Sequence, residues 1–165
     1  MMPALMIIGV GRLRRLSGAW RWCGAMFERW LEALREVSAE RMTMADHVID
    51  ELCRKAVAIV LFGSRVRGDN TPLSDWDLLA IVPTGEYRVE VMSIGQVIWL
   101  PLDKLDHVLE VSMVILDAIF DGKLLRGDED VFMMVKRRAS DYVERKGLVR
   151  TRAGWFPRNV LDSNP

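Results

Sequence analysis

The chain has 165 residues, 50% of them hydrophobic and 28% charged, a composition typical of one globular domain with its own core and not of a disordered chain. The 23 basic and 23 acidic residues balance, so net charge gives no argument for binding nucleic acid or a membrane surface. Cys23 and Cys53 form no CxxC pair or disulfide framework, and the apolar segment 4–10 is too short to span a bilayer. We therefore expect a cytoplasmic protein without a membrane segment.

Residues 1–25 differ in composition from the rest of the chain, because they carry four arginines and no acidic residue. They are either a basic N-terminal extension, a surface-binding basic helix, or the product of a start placed upstream of the real one at Met26. The expected organisation is therefore this extension at 1–25, one domain at 26–150 and a tail at 151–165.

The first half of the domain shows two helical patterns and then a strand. Apolar residues at i, i+3, i+4 and i+7 predict one amphipathic helix over about 27–37 and a second over about 43–54. The continuous apolar and β-branched segment 56–62 predicts a buried strand, which ends at Gly63.

The second half continues with strands and closes with helices. The apolar segment 78–82 predicts another buried strand, and 88–94 alternates apolar and polar residues, which favours a hairpin with it. A further short strand is predicted at 97–100. A long helix is expected over about 102–120, and a final one over about 128–146, with acidic residues in its first turn and basic residues in its last.

The segment 62–82 places Asp75 and Asp77 one residue apart, immediately before an apolar strand. Alternate residues of a strand point to the same face, about 6.5–7 Å apart, so the two carboxylates should converge while Trp76 points away. Two unscreened carboxylates repel each other, and a divalent cation removes that cost. Oxygen ligands suit Mg²⁺, with Mn²⁺ as the alternative ion.

A glycine and a serine, Gly63 and Ser64, end the preceding strand, and ten residues separate Ser64 from the first of these aspartates. A tight turn at this point presents backbone N–H groups and a hydroxyl group, which favour phosphate binding. Arg65 and Arg67 lie close enough in sequence to add guanidinium donors. The sequence therefore predicts a triphosphate-binding turn beside the metal-binding carboxylates.

Together these residues resemble the signature of the DNA polymerase β-like nucleotidyltransferase superfamily: a hydrophobic residue, Gly-Ser, a spacer of about ten residues, and Asp–hydrophobic–Asp–hydrophobic. This chain has Phe62-Gly63-Ser64, ten residues, and Asp75-Trp76-Asp77-Leu78. The Gly-Ser-Arg-x-Arg-Gly form at 63–68 is most similar to the minimal nucleotidyltransferases of prokaryotes. The resemblance implies an α/β (α+β) nucleotidyltransferase fold with a small mixed β-sheet backed by helices. It also implies transfer of a nucleoside monophosphate from a triphosphate to an acceptor hydroxyl group.

By the same resemblance, the Gly-Ser turn binds the triphosphate and the two aspartates bind the metal and take part in catalysis. A third carboxylate on a neighbouring strand acts in the family as general base or as ligand of a second metal ion. Glu90 is the only acid on the next predicted strand, so it is the candidate here. The predicted hairpin sets it one residue pair too far along, and Gln96 stands where the family often has the acid.

The resemblance further implies a nucleoside triphosphate as substrate and a small helical HEPN-type protein as partner, with the transferase as the antitoxin of the pair. A homo-oligomer is a further expectation. Two other functions stay open. One is a catalytically weakened module of the same fold that binds nucleotide or a partner, favoured by the lack of an evident third acid. The other is a small-molecule transferase similar to the aminoglycoside nucleotidyltransferases, which needs a longer acceptor-binding region or a dimer that builds one.

Overall fold

The computed structural model describes the backbone of residues 16–161 and the side chains of residues 26–160. Its helices are α1 (Leu16–Leu52), α2 (Ser64–Arg67), α3 (Leu105–Val111), α4 (Met113–Phe120), α5 (Glu129–Lys146) and α6 (Arg158–Leu161). Its strands are β1 (Ala58–Phe62), β2 (Trp76–Val82), β3 (Arg88–Met92), β4 (Gly95–Pro101), β5 (Lys123–Gly127), β6 (Leu148–Thr151) and β7 (Gly154–Pro157).

Helix α1 runs without a break for 37 residues, so the prediction of two separate helices is wrong. The segment 38–42 that was expected to separate them contains no glycine or proline, and most of its residues are good helix formers. The last turns of α1 lie on the sheet, where Ala45, Ile49 and Leu52 are buried. This stripe therefore forms one of the two hydrophobic layers of the molecule.

A five-stranded mixed sheet forms the centre of the fold, in the order β3-β4-β2-β1-β5. Strands β2 and β4 are parallel, whereas the other neighbouring pairs are antiparallel. One face packs on α1, and the opposite face packs on α3, α4 and α5. The predicted fold class, a small mixed sheet backed by helices, is therefore confirmed.

The four predicted strands are present, but the predicted hairpin between the second and third is wrong. Strand β3 pairs with β4, and β4 takes the place beside β2. The reason lies in burial. The last five residues of β4 are all buried, as a central strand requires, whereas the alternating residues of β3 suit an edge.

The long helix predicted over 102–120 is interrupted. A 3-10 turn at Leu102–Lys104 leads into α3, and Ser112 separates α3 from α4 with an extended backbone (φ −137°, ψ 106°). The Ser112 hydroxyl lies 2.8 Å from the hydroxyl of Tyr87, so the break is fixed against the loop before β3. Strand β5, which the sequence analysis did not predict, follows α4 and pairs with β1.

The final helix is confirmed as α5. The Asp128 side chain accepts hydrogen bonds from the N–H groups of Asp130 and Val131, and Gly147 ends the helix with a φ of 60°. The hairpin β6–β7 follows it, and the ring of Trp155 packs on Phe120 with 5.2 Å between centroids. Ordered elements thus continue into the segment predicted as a tail.

The expectations for residues 1–25 lie outside the described side chains, although α1 already begins at Leu16. The division into extension, domain and tail therefore stays a prediction. None of the helices within the described part of the chain combines the length and apolarity needed to cross a bilayer. The cytoplasmic location also stays a prediction.

Candidate functional site

The turn after β1 has the shape that the Gly-Ser pair predicts. Gly63 has φ 76° and ψ −151°, a conformation open to glycine, and Ser64 is the first residue of α2. The N–H groups of Val66 and Arg67 both donate to the Gly63 carbonyl at 3.3 Å. Gly68 ends this short helix with a φ of 82°. The tight turn expected after this strand is therefore present, and it continues into one turn of helix.

Asp77 lies directly against this turn. It is the second residue of β2 and pairs with Phe62, the last residue of β1. A Cβ atom added to Gly63 would lie 2.1 Å from Oδ2 of Asp77, closer than atoms can approach. Position 63 therefore needs glycine for space as well as for its backbone conformation. The fold brings the Gly-Ser turn and one of the two aspartates together.

The other oxygen of this carboxylate is occupied by an amide. Gln96 stands opposite Asp77 on the parallel strand β4, and its Nε2 donates to Oδ1 of Asp77 at 2.9 Å. The neighbouring strand thus presents a neutral donor at the point closest to the aspartate. An amide N–H group can hold a carboxylate in place but cannot bind a cation.

Asp75 precedes β2 and is held from the side of α1. Its Oδ1 accepts from Nη2 of Arg41 at 3.0 Å, and the same nitrogen donates to the Ile94 carbonyl at 3.2 Å. The sequence analysis missed Arg41. The available signal was its position one turn before the buried Ala45, which puts both residues on the stripe of α1 that faces the sheet.

Arg65 supports the loop that carries Asp75. Its Nε and Nη2 donate to the carbonyl groups of Asp75 and Ser74 at 3.2 and 2.6 Å, and its guanidinium lies 4.6 Å from the centroid of the Trp76 ring. Partial burial, and then the positive charge of Arg41, lower the pKa of Arg65. This guanidinium is already engaged in fixing the loop, which leaves it little capacity to bind phosphate.

Arg67 is more open. Its Nε lies 3.7 Å from Oδ2 of Asp69, and about half of its side chain is exposed. Its charge also helps to lower the pKa of Asp121, so Arg67 faces the acidic end of α4. Of the two predicted arginines, Arg67 is the better placed to donate to a ligand at the turn.

Glu90 is not brought to the aspartates. It lies on the edge strand β3, opposite Val97, and accepts from Nε1 of Trp99 at 2.9 Å. Both of these residues belong to the layer that faces α1. Asp77 alternates with the residues that pack on α3 to α5, on the opposite face. The predicted position of Glu90 rested on the hairpin that the structure corrects, and its observed position gives no support to a catalytic role.

Asp75 and Asp77 are the two carboxylates predicted to bind a metal ion, and each has one oxygen engaged in the contacts above. No group of three or more His, Cys, Asp or Glu side chains within the described residues is arranged to hold a metal. The oxygen ligands of the two aspartates suit Mg²⁺, which keeps waters and accepts phosphate oxygens as its other ligands. Metal binding by Asp75 and Asp77 therefore stays a prediction.

A cluster around Arg150 ties the C-terminal hairpin to α4. Its guanidinium contacts both oxygens of Asp121 at 2.6 Å and Oδ1 of Asp117 at 2.8 Å. Nε1 of Trp155 donates to the same oxygen of Asp117 at 3.0 Å. The hydrogen bonds from Arg150 are the main reason why the pKa of Asp121 is lowered. The sequence analysis missed this cluster, because its members come from two elements far apart in the chain.

Comparison with known proteins gives one family match. A family model described as a nucleotidyltransferase domain matches residues 46–148, more than half of the chain. No curated protein gives a significant match. One similar solved structure is a toxin–antitoxin with AMP-PNP, 18% identical, covering 60% of this chain and 86% of that one, with a TM-score of 0.41. Another is a mutant of the toxin–antitoxin MntA-HpeT, 17% identical, covering 61% and 88%, with a TM-score of 0.41.

Proposed function

Because the chain belongs to the nucleotidyltransferase domain family, we propose that it transfers a nucleoside monophosphate from a nucleoside triphosphate to an acceptor hydroxyl group. The acceptor oxygen bonds to the α-phosphorus and loses its proton, and pyrophosphate leaves. The observation that carries the proposal is the contact between the Gly-Ser turn and the metal-binding strand. The carboxylate of Asp77 packs so closely on Gly63 that no side chain fits between them. A phosphate chain bound at the turn would therefore lie beside the carboxylate that holds its metal ion.

The proposed roles follow from this arrangement. Gly63 and Ser64 bind the triphosphate through backbone N–H groups and a hydroxyl group, and Arg67 adds a positive charge. Asp75 and Asp77 hold Mg²⁺ or Mn²⁺ through the oxygens that Arg41 and Gln96 leave open. When bound, the ion neutralises charge on the phosphates and polarises the phosphoryl group. The protein itself contributes mainly by positioning the phosphates against these carboxylates.

A second candidate is a catalytically weakened module that binds nucleotide without efficient turnover. The observation that favours it is the amide of Gln96, which occupies the point on β4 nearest Asp77. Without a third carboxylate, the attacking hydroxyl group has no general base from this strand, and a second metal ion has no protein ligand. The expected rate is therefore low.

The acceptor is proposed from the resemblance of the 63–78 motif to minimal nucleotidyltransferases. We propose a small helical HEPN-type protein that carries the accepting hydroxyl group, so that nucleotide transfer would silence it as a toxin. A small-molecule acceptor would give a different labelled product, and the experiment below distinguishes the two acceptors.

The proposal is tested by incubating the full chain with α-labelled nucleoside triphosphates, Mg²⁺ or Mn²⁺, and a lysate of its source cells as the supply of acceptors. The expected result is a labelled protein band, formed only with the divalent ion. A labelled small molecule in place of a band would identify the aminoglycoside-like alternative.

Two variants make this assay specific. Asp77→Asn retains the shape of the side chain but removes the charge, and we expect at least a 100-fold loss of transfer, in line with the loss of one group that stabilises charge in a transition state. Asp46→Asn makes the same change on an exposed part of α1 and should have no effect. Transfer that survives in Asp77→Asn would contradict the proposed role of this site.

A further inference from the structure

Strand β3 has one edge that no strand covers among residues 16–161. It stands at the end of the sheet order, and its hydrogen-bonded partner is β4. Such an edge offers a row of backbone donors and acceptors to another strand, and proteins commonly block it with proline, a bulge or a covering element. The five residues of β3 contain no proline, and their register with β4 is regular. Backbone pairing along this edge is therefore not blocked by a proline or a bulge, although β3 is short and carries Arg88 and Glu90.

The side chains of β3 divide into an apolar face and a charged face. Val89 and Val91 are 51% and 85% exposed, and they stand opposite Ile98 and Gln96 on the face that also carries Asp77. Arg88 and Glu90 lie on the opposite face, half exposed and 3.6 Å apart. Another strand that covered this edge would remove apolar surface of the two exposed valines from water.

We propose that β3 pairs with β3 of a second copy of this chain, antiparallel, about a two-fold axis that passes beside Val89. In this register Val89 faces Val89 of the second copy. Arg88 then faces Glu90 of the second copy, and the symmetry repeats that pair. Val91 faces Tyr87. The two five-stranded sheets become one continuous sheet of ten strands.

The charges of Arg88 and Glu90 favour this register over the two adjacent symmetric registers. Moving the axis to Glu90 places two glutamates opposite each other, and moving it to Arg88 places two arginines opposite each other. Opposite charges directly across a strand pair stabilise it, and like charges in the same position destabilise it. The sequence Arg-Val-Glu at 88–90 is therefore complementary to itself in only one of the three arrangements.

The dimer is expected to be weak. One pair of five-residue strands buries less than the roughly 1,000 Å² that stable interfaces usually exceed. Its stability then rests on backbone hydrogen bonds, one valine pair and two ion pairs. We therefore expect a dissociation constant of about 1–100 µM, which is a weak association.

The inference is tested by analytical ultracentrifugation of the full chain over a series of concentrations. The expected result is a reversible monomer–dimer equilibrium. Arg88→Glu places two like-charged pairs across the axis and should weaken the dimer at least tenfold, and Glu90→Arg should do the same. Arg126→Glu, on the opposite edge strand β5, is the matched control and should leave the equilibrium unchanged.

A mixture of the two charge variants gives the sharper result. The Arg88→Glu chain presents two acids and the Glu90→Arg chain presents two bases, so each repels itself and complements the other. Equal amounts should form a heterodimer with an affinity close to that of the wild-type dimer. This recovery also shows that neither variant has lost its fold, which circular dichroism checks independently.

Three outcomes would overturn the proposal: a wild-type chain that stays monomeric at several hundred micromolar, a dimer unaffected by either charge change, or a mixture that forms no heterodimer. Arg88 and Glu90 both contact Trp99, so either charge variant could lose its fold. In that case Val91→Lys is used in place of the charge variant. That change alters an exposed side chain and should still weaken the dimer. A dimer that persists in Val91→Lys would place the interface elsewhere, for example on the exposed half of α1.

Discussion

Gly63 is the residue on which the geometry of the site depends most. Alanine at this position would carry its Cβ into the Asp77 carboxylate, and its backbone would be held at a φ of 76°. We expect Gly63→Ala to lower the free energy of unfolding by about 1–3 kcal/mol and to abolish metal-dependent nucleotide binding. Urea unfolding and equilibrium binding of a triphosphate measure the two effects.

Gly68 provides the control for this substitution. It also has a positive φ, 82°, but a Cβ added there would meet no atom within 4 Å. Gly68→Ala should therefore lower the free energy of unfolding by about 1–2 kcal/mol through backbone strain alone. It should still bind nucleotide. Equal losses of binding in both variants would show that backbone strain, and not the contact with Asp77, is what matters.

Gln96 is the residue that we expect to limit the rate of transfer, because it stands beside Asp77 where a third carboxylate would be needed. Glutamate in its place would set a third carboxylate beside Asp77, which repels it without metal and adds a ligand with metal. We expect Gln96→Glu to melt earlier than the wild type in EDTA, to regain stability in Mg²⁺, and to transfer nucleotide about tenfold faster. Thermal melting with and without Mg²⁺, together with the transfer assay, checks this.

Gln96→Met keeps the approximate size of the side chain and removes the donor without adding charge. It should show neither the dependence on Mg²⁺ nor the faster transfer. A Gln96→Glu variant that behaves like Gln96→Met would contradict the idea that a missing carboxylate limits the site.

For individual residues, the sequence indicated only the contact that lies between two successive strands. Gly63 and Asp77 meet because the successive strands β1 and β2 pair directly, so the spacing of the two motifs indicates the contact. Arg41 and Gln96 could not be found this way. The position of Arg41 depends on which face of a long helix meets the sheet, and that of Gln96 depends on which strand lies beside β2. The spacing of nearby residues in the sequence determines neither.

The strands show why element type is easier to predict than pairing. A continuous apolar run and an alternating run are both read correctly as strands, β4 and β3. Their order in the sheet depends on which of them occupies the buried position beside β2. The more apolar strand, β4, occupies it. The position of Glu90 depended on that order. The error in one pairing therefore became an error in one candidate site residue.

Among the helices, α4 and the hairpin β6–β7 are joined by the cluster around Arg150. Replacing Arg150 by methionine keeps much of the packing on Trp155 but leaves Asp117 and Asp121 without their cation. We expect Arg150→Met to lower the free energy of unfolding by about 1–2 kcal/mol, the scale of charged hydrogen bonds at a partly exposed site. Arg152→Met, in the exposed turn of the same hairpin, should have little effect in the same urea titration.

The same cluster predicts an acid dependence. Hydrogen bonds from Arg150 hold the pKa of Asp121 below its ordinary value of 3.8. Its contribution to stability is therefore complete above that value and is lost as pH falls through the lowered pKa. As the pH falls below 3.8 and through the lowered pKa, the wild type should lose more stability than Arg150→Met, so their free energies of unfolding should converge in acid. Curves that stay equally far apart would contradict this origin.

For the whole molecule, the central sheet sets the relation between the parts of the site. Its ends bring the Gly-Ser turn, Asp77 and Gln96 to one point, while α1 adds Arg41 from one face and the cluster of α4 approaches from the other. The edge strand β3 lies one strand beyond Gln96. A second copy or a protein acceptor bound along that edge would therefore stand next to the site.

The most direct test of the central claim is equilibrium binding of a nucleoside triphosphate to the full chain, with Mg²⁺ and with EDTA, for the wild type and Asp77→Asn. Binding tests the site even if Gln96 makes transfer slow. The account predicts binding that requires Mg²⁺ and weakens at least tenfold in Asp77→Asn, with Asp46→Asn unchanged. Binding that is equally tight in EDTA, or unaffected by Asp77→Asn, would contradict a site built from the Gly-Ser turn and these carboxylates.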